Sequence, residues 1–245
     1  MSFGESTCIY DRGRRLYPAE VVDTIQAEMS RHKPFLVLDM GCGTGIATRQ
    51  LASPDGLIVG CDIDGEMVEA ALKHQSSHVS YCSGAANNLP FGSQLFDGVT
   101  AFGAFHWFCD AHSVSELKRV LKPGGGIWIV NKDDVGSFRA ELDAILAEYV
   151  SVPYNSPKTA YEPNRILRDS GYKDVTQRTF SAVEQFTLGE LLTLVRSMNL
   201  WVTVPSDKRD AMLESIMRHF SAKLNVENYY ERQVVVTTVS GVKPI

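Results

Sequence analysis

Hydrophobic and polar positions follow two different periods along the first half of the chain. Short, largely apolar runs such as FLVLDM and GLIVGCDID, the second of which ends in acids, are typical of parallel strands that are covered on both faces. Segments such as YPAEVVDTIQAEMSRHKP lie between them, and here Val21, Val22 and Ile25 recur at helical spacing. These two patterns alternate up to about residue 131. The alternation predicts a doubly wound sheet with right-handed crossovers.

The pattern changes after residue 131. Amphipathic helices are predicted in SFRAELDAILAEYV, in NRILRDSG and on both sides of NLWVTVPSD, and YNSPKTAYEP is predicted to be a loop. A sixth strand follows Gly171, and ERQVVVTTVSGVKP is a last strand with polar residues on one side, as in an antiparallel strand near an edge. We therefore predict an α/β fold. It has a Rossmann-like, seven-stranded, mostly parallel sheet with an antiparallel last strand, and N-terminal and late helical additions form a cap.

The first apolar run ends in the glycine turn DMGCGTGI, which three ligand-binding motifs could explain. A phosphate-binding P-loop needs Lys and then Ser or Thr after its last glycine, but Ile46 and Ala47 stand there. A dinucleotide fingerprint needs G-x-G-x-x-G, and here Gly45 comes one residue early. Asp39 also stands before the first glycine, where its charge would repel a phosphate.

A ligand without phosphates fits this turn better, and S-adenosylmethionine (SAM) is one. Asp39, at the end of the first strand, suits the amino group of SAM, and bare glycines let the backbone approach the ligand. Asp62 closes the second strand, where a carboxylate can accept hydrogen bonds from both ribose hydroxyls. The alternative is that Asp39 and Asp62 only cap helices.

Four segments together resemble the class I SAM-dependent methyltransferases. VLDMGCGTG resembles motif I, GCDIDGEMVEAA the second-strand motif, SGAANNLPF the adenine-contacting loop and LKRVLKPGGGIWIV the segment before strand five. The resemblance covers residues 10–131 well and residues 160–245 loosely. Many members carry an acid in the adenine loop, whereas this chain has alanine and asparagine, so that contact would come from the backbone or from Asn87.

Within this superfamily, the chain resembles the methyltransferase type 11 group that includes trans-aconitate methyltransferase-like proteins. The matching segments are GRRLYP, AFHWF and TLGELLTLVRSMNLW. The resemblance implies one domain over residues 1–245. Residues 1–33 would form a lid segment and helix, residues 34–131 the SAM-binding core, residues 132–225 helical, acceptor-binding additions and residues 226–245 the last strand.

The resemblance and the strand positions together give candidate site residues. The cofactor-binding candidates lie in the lid segment, the glycine turn, the second-strand end, the adenine loop and the fourth-strand end: Arg14, Asp39, Gly41, Cys42, Gly43, Thr44, Gly45, Asp62, Ile63, Met67, Ala85, Ala86, Phe102, Gly103 and Ala104. The substrate candidates are Tyr10, Tyr17, Phe105, His106, Trp107 and Trp201, with the loop residues Tyr154 and Tyr161 as further candidates. Arg14 could bind the carboxylate of SAM or of an acidic acceptor, or it could face solvent. Met67 could stack on adenine or belong to the core.

His106 is the candidate catalytic residue, because it is the titratable side chain that comes directly after strand four. It could act as a general base, or it could position the substrate by a hydrogen bond. The alternative is a structural histidine that packs with Trp107 and Phe108. Phe102, Phe105, Trp107 and Phe108 could line an apolar acceptor pocket or fill the core.

Composition and charge indicate which classes of binding partner are expected for this protein. The net charge of −5 argues against the basic surface that nucleic-acid binding needs. The five cysteines form no CxxC pair, so we expect reduced thiols in the cytoplasm and no metal site. No segment resembles a signal peptide or a membrane span, and we expect a monomer or a homodimer.

The sequence therefore predicts an enzyme that converts SAM to S-adenosylhomocysteine (SAH). The methyl group would pass to a small-molecule acceptor at oxygen, in a carboxylate or a hydroxyl. Two alternatives stay open at this point: a protein that binds SAM without methyl transfer, and a nicotinamide-dependent oxidoreductase.

Overall fold

A seven-stranded sheet forms the centre of the molecule, with the strand order β3-β2-β1-β4-β5-β7-β6. A computed structural model describes residues 7–29, 33–150 and 161–245. The strands are β1 (Phe35–Met40), β2 (Gly56–Asp62), β3 (Val79–Ser83), β4 (Phe96–Phe102), β5 (Leu121–Asp134), β6 (Lys173–Phe186) and β7 (Tyr230–Val242). Strands β1 to β5 pair in parallel, whereas β7 runs antiparallel to both β5 and β6. The predicted fold class is confirmed, and β7 lies one strand in from the edge.

Helices cover both faces of this sheet. In the described residues they are α1 (Thr7–Gly13), α2 (Ala19–Met29), α3 (Ile46–Gln50), α4 (Gly65–Leu72), α5 (Ala111–Val120), α6 (Phe138–Leu146), α7 (Pro163–Asp169), α8 (Leu188–Arg196), α9 (Leu200–Thr203) and α10 (Arg209–Ser221). Short 3₁₀ helices add Phe105–Trp107 and Ser206–Lys208. No described helix is long and apolar enough to cross a membrane.

Successive side chains of the central strands point to opposite faces of the sheet, so the hydrophobic core consists of separate clusters on the two faces. Leu38 of β1 belongs to the cluster packed under α5, and its neighbour Val37 points to the opposite face, towards Ile25 of α2. A further cluster joins α6, α8 and α10, with Phe138 and Phe220 among its buried residues. The late helices therefore have a core of their own beside the sheet.

The N-terminal helix α1 is the described element that the sequence patterns predict least well. Helix α1 was predicted only as part of a lid segment, and it packs against α8, where a Cβ on Gly13 would lie 2.7 Å from Thr193 O. Residues 151–160, which include Tyr154 and most of the predicted loop YNSPKTAYEP, lie outside the described residues.

Candidate active site

The glycine turn lies at the point where the strand order of the sheet reverses. Strand β1 pairs with β2 on one side and with β4 on the other, so the chain crosses over in opposite directions from here. In open parallel sheets, such a switch point leaves a crevice beyond the carboxyl ends of the strands. The turn after Met40 begins in this crevice.

The three glycines of the turn are needed for different reasons. All three have positive φ, with values of 73° at Gly41, 55° at Gly43 and 82° at Gly45. A Cβ on Gly41 would lie 2.5 Å from Ala104 Cβ, and one on Gly45 would lie 2.4 Å from Tyr81 Oη, whereas one on Gly43 would meet nothing within 4 Å. The predicted reason, room for a ligand, therefore applies to Gly43. Gly41 and Gly45 instead let the turn pack against the rest of the protein.

Asp39 is buried beneath the turn, and hydroxyl groups satisfy both of its carboxylate oxygens. Thr48 Oγ1 donates to Oδ2 at 2.6 Å and Thr100 Oγ1 donates to Oδ1 at 2.9 Å. Burial raises the pKa of Asp39 to about 6, and the charge of Asp62 adds to this, although the two hydroxyl groups oppose it. Asp39 caps none of the described helices. It anchors β1 to α3 and β4, and it places a carboxylate in the lining of the cavity.

Asp62 holds the turn from the side of β2. Its Oδ2 accepts a hydrogen bond from Gly43 N at 2.7 Å, and its Oδ1 accepts one from Asp64 N at 3.0 Å. Burial raises the pKa of Asp62. The helix cap of α4 is the neighbouring Asp64, whose side chain accepts from the nitrogens of Glu66 and Met67. The helix-cap alternative for Asp62 is therefore wrong, and its carboxylate faces the cavity.

A cavity of about 1000 Å³ extends from the glycine turn to the N-terminal segment and α8. It brings together most of the predicted site residues. Every predicted cofactor residue except Gly45 lines it, as do the substrate candidates Tyr10, Tyr17, His106 and Trp107. Phe105 is fully buried in the core below, and Trp201 instead lies beside the guanidinium groups of Arg196 and Arg209. Asn199 and Leu200, next to Trp201 in the chain, do line the cavity.

The loop after β4 places His106 at the cavity wall. Gly103, with φ of 62°, turns the chain away from β4, and the 3₁₀ helix then presents His106 and Trp107. The imidazole packs against the rings of Trp107 and Tyr161, at centroid distances of 5.0 and 6.0 Å. His106 thus has a packed side and a cavity side, and the two interpretations of its role are compatible.

The N-terminal segment closes the opposite side of the cavity. The Tyr17 ring packs edge-on against Phe102 at 4.8 Å, and burial raises the pKa of the Tyr17 hydroxyl. The Arg14 guanidinium lies over Tyr10 at 4.9 Å, and its Nη2 donates to Ser197 O at 2.9 Å. Arg14 Nε is buried without a hydrogen-bond partner in the described part of the chain. Arg14 is therefore a cavity residue, and the solvent-facing alternative is wrong.

A buried ion-pair network that the sequence patterns did not indicate forms the far wall. Lys132 Nζ donates to Glu184 Oε1 at 2.6 Å, and Arg232 donates to Glu184 Oε2 at 3.1 Å and to Asp134 Oδ2 at 3.0 Å. Lys132 also donates to the carbonyl oxygens of Arg15 and Leu16, both at 3.1 Å. Burial lowers the pKa of Lys132, and Glu184 opposes this effect. The network fixes the N-terminal segment to the sheet.

Comparison with known proteins agrees with this geometry. Residues 38–129 match the model of a family described as a methyltransferase domain. An uncharacterized methyltransferase of Mycobacterium tuberculosis is 28% identical over 218 residues, which are 88% of this chain and 84% of that protein.

Solved structures show the same fold. A putative type II methyltransferase from Anaeromyxobacter dehalogenans has a TM-score of 0.69 at 18% identity, over 94% of this chain and 97% of that one. Haemonchus contortus phosphoethanolamine N-methyltransferase 2, in complex with S-adenosyl-L-methionine, has a TM-score of 0.56 at 19% identity, over 100% of this chain and 60% of that one. The family model and the sequence relatives favour methyl transfer over the nicotinamide alternative. The family model and the methyltransferase relatives together support a class I SAM-dependent methyltransferase.

Proposed function

We propose that this enzyme transfers a methyl group from SAM to an oxygen atom of a small-molecule acceptor, and that the oxygen belongs to a carboxylate or a hydroxyl. The observation that carries the proposal is the single cavity that joins the glycine turn to Arg14 and His106. Its volume of about 1000 Å³ is at the upper end of the ~300–1,000 Å³ that is usual for one small-molecule site. Such a cavity suits a cofactor and a second molecule together.

The residues around the glycine turn fit SAM. Gly43 leaves open space where any other residue would place a Cβ, and the Asp39 carboxylate supplies negative charge for an amino group. Asp62 retains acceptor capacity for ribose hydroxyls beyond its two main-chain bonds, since a carboxylate accepts about four hydrogen bonds. Ile63, Met67 and the Ala85–Asn87 loop line the part of the cavity proposed for adenine. When bound, SAM supplies a methyl group on a positively charged sulfur.

The acceptor side contains charge of both signs, and most of it is internally paired. Lys132, Asp134, Glu184 and Arg232 form ion pairs with one another in the buried network. Arg139 pairs with Asp143, and Arg15 pairs with Glu190. Arg14 is the lining cation that no carboxylate pairs with in the described residues. An Arg guanidinium binds a carboxylate through two parallel hydrogen bonds, so Arg14 favours the carboxylate among the two acceptor groups.

In methyl transfer, the protein must align the acceptor with the methyl group and exclude water, and it forms no covalent bond to either molecule. Arg14 and the N-terminal segment hold the acceptor from one side, and His106 and Trp107 contact it from the other. A carboxylate acceptor attacks as the anion and needs no base. A hydroxyl acceptor must lose its proton, and His106 is positioned to receive it.

We further propose that different parts of the chain bind the cofactor and the acceptor. Residues 34–131 contribute the cofactor side and, through His106 and Trp107, one wall of the acceptor side. The N-terminal segment and residues 132–225 contribute the rest of the acceptor side. The lining residues support this: Leu194, Met198 and Leu200 come from α8 and the segment after it.

Methyl transfer from labelled SAM tests the proposal. The purified enzyme is incubated with methyl-labelled SAM and separate panels of small carboxylic acids, alcohols and amines. Products are then treated with mild base, which releases volatile methanol from a methyl ester and leaves ethers and methylamines intact. Volatile label supports carboxylate transfer, stable label on an alcohol supports hydroxyl transfer, and label on an amine overturns the assignment to oxygen.

The Asp62→Ala variant serves as the inactive control for background transfer. A titration with SAH is run in parallel. SAH binding with no transfer to any panel or to a metabolite extract would favour the alternative of a SAM-binding protein without methyl transfer.

A further inference from the structure

The carboxylate of Asp11 connects the N-terminal helix to the glycine turn. Asp11 lies on α1, and its Oδ1 accepts a hydrogen bond from Thr44 Oγ1, the residue between Gly43 and Gly45. Thr44 is 1% exposed, so its hydroxyl has no access to bulk water as a replacement partner.

Arg49 completes the contact from the other side of the same residue. Arg49 Nη1 donates to Thr44 O at 2.7 Å, and Arg49 Nη2 lies 4.0 Å from Asp11 Oδ2. The hydroxyl and the carbonyl of Thr44 are thus held by two side chains of opposite charge. Asp62 holds the preceding peptide through Gly43 N at 2.7 Å. The conformation of the turn is therefore fixed from α1 as well as from the sheet.

Other residues of the N-terminal segment contact α3 on the cofactor side of the cavity and α8 on the acceptor side. Gln50 of α3 forms reciprocal hydrogen bonds with the main chain of Tyr17, at 2.9 and 3.0 Å. Gly13 packs against α8, and Arg14 donates to Ser197 O. Helix α1 therefore spans from the cofactor side to the acceptor side, and Asp11 is its contact with the turn.

We propose that Asp11 is a positioning residue that couples the docking of α1 to the SAM-binding conformation of the glycine turn. The inference rests on the proposed function, since it takes the turn to be the SAM site. A turn held by Asp11 spends more time in the binding conformation, and a bound ligand in turn stabilises the docked helix. By linkage, each event favours the other by the same factor.

The test measures SAH binding by calorimetry and amide hydrogen exchange of residues 7–13, with and without SAH. In the wild type, SAH slows exchange in α1. Asp11→Ala and Thr44→Val should each weaken SAH binding about tenfold, the usual scale for a lost hydrogen bond to a charged group, and abolish the SAH-dependent protection. Thr44→Ser keeps the hydroxyl and should bind SAH several-fold more tightly than Thr44→Val does. Cys8→Ala, at an exposed position of the same helix, is the matched control.

The double variant Asp11→Ala/Thr44→Val decides whether the two residues act together. If they do, it binds SAH within about twofold of either single variant, because both changes remove one bond. Additive losses, or SAH binding by Asp11→Ala within twofold of the wild type, would overturn the inference. If Asp11→Ala does not fold, the comparison of Thr44→Val with Thr44→Ser gives the same decision. Failure of the wild type to bind SAH would instead refute the proposed function.

Discussion

Gly43 N and Asp62 Oδ2 are joined by a hydrogen bond of 2.7 Å across two neighbouring strand ends. The carboxylate proposed for the ribose therefore also shapes the turn proposed for the rest of the cofactor. Its second oxygen accepts from Asp64 N at the start of α4, so one side chain organises both loops.

The double function of Asp62 predicts the outcome of Asp62→Asn. An amide has one acceptor oxygen, so it can serve Gly43 N or Asp64 N but not both, and it offers an NH₂ group where an acceptor is needed. We expect SAH to bind at least about tenfold more weakly, with a small change in Tm. Calorimetry and thermal denaturation measure the two effects. Asp23→Asn, exposed on α2, should change neither, and unaltered SAH affinity in Asp62→Asn would exclude this role.

The glycines of the turn should separate ligand binding from stability. Gly43→Ala puts a Cβ into open cavity space, so it should cost about 1 kcal/mol of backbone strain and prevent SAH binding. Gly45→Ala puts a Cβ against the Tyr81 ring and should lower Tm far more. Gly92→Ala, where a Cβ meets nothing within 4 Å, is the control. Equal losses of Tm in Gly43→Ala and Gly45→Ala would contradict this assignment.

Much of the sheet could be predicted because a short stretch of contiguous sequence is enough to identify a buried strand. A largely apolar run between helical patterns is typical of a buried parallel strand, and β1 and β2 both have this pattern. The glycine turn was identifiable for the same reason, since its residues are contiguous. The cofactor side is therefore readable from short segments.

The acceptor side was not readable in this way, because its residues meet only in the folded chain. Lys132, Glu184 and Arg232 come from β5, β6 and β7, and nothing in their local sequence indicates that they pair. Helix α1 has seven residues, too few for an apolar period, and its position depends on α8. The sequence predicts that Trp201 contacts the acceptor, but the guanidinium groups of Arg196 and Arg209 flank its ring instead.

The buried, ionised carboxylate of Asp39 should lower the stability of the folded protein at neutral pH, although the proposed cofactor site uses its charge. Its folded-state pKa of about 6 lies above the ordinary value of 3.8, so the ionised form destabilises the folded protein. Stability falls as pH rises from about 4 to about 6, by roughly 3 kcal/mol in total. We expect Asp39→Asn to raise Tm by several degrees at pH 7 and not at pH 4. A lower Tm at pH 7 would show that the threonine hydroxyls need the charge.

The same charge predicts how cofactor affinity depends on pH. Ionised Asp39 attracts an ammonium group and the neutral form does not, so SAH should bind more tightly as pH rises from 5 to 7. In Asp39→Asn, SAH binding should be weaker throughout and should vary little with pH over this range. Titrations at four pH values in one buffer system would measure both curves, with Asp23→Asn as the wild-type-like reference.

Arg14 should reveal which carboxylate it binds. Arg14→Met removes the guanidinium and keeps much of the apolar stem that covers Tyr10. If the acceptor carboxylate is the partner, the acceptor KM rises about tenfold or more while SAH affinity holds. If the SAM carboxylate is the partner, SAH affinity falls by a similar factor. Arg12→Met, exposed on α1, should change neither constant, and no effect of Arg14→Met on either would remove Arg14 from the site.

His106 should act on turnover rather than on cofactor binding. It follows β4 at the cavity wall, and the rings of Trp107 and Tyr161 hold its imidazole. His106→Ala should therefore leave SAH affinity within about twofold of the wild type and lower kcat. For a hydroxyl acceptor the loss should be about 10²–10⁴-fold, because a base is removed. For a carboxylate acceptor the loss should be about tenfold, because only positioning is removed, and His106→Gln should then restore much of it. Unchanged kcat in His106→Ala with the true acceptor would leave His106 as a packing residue.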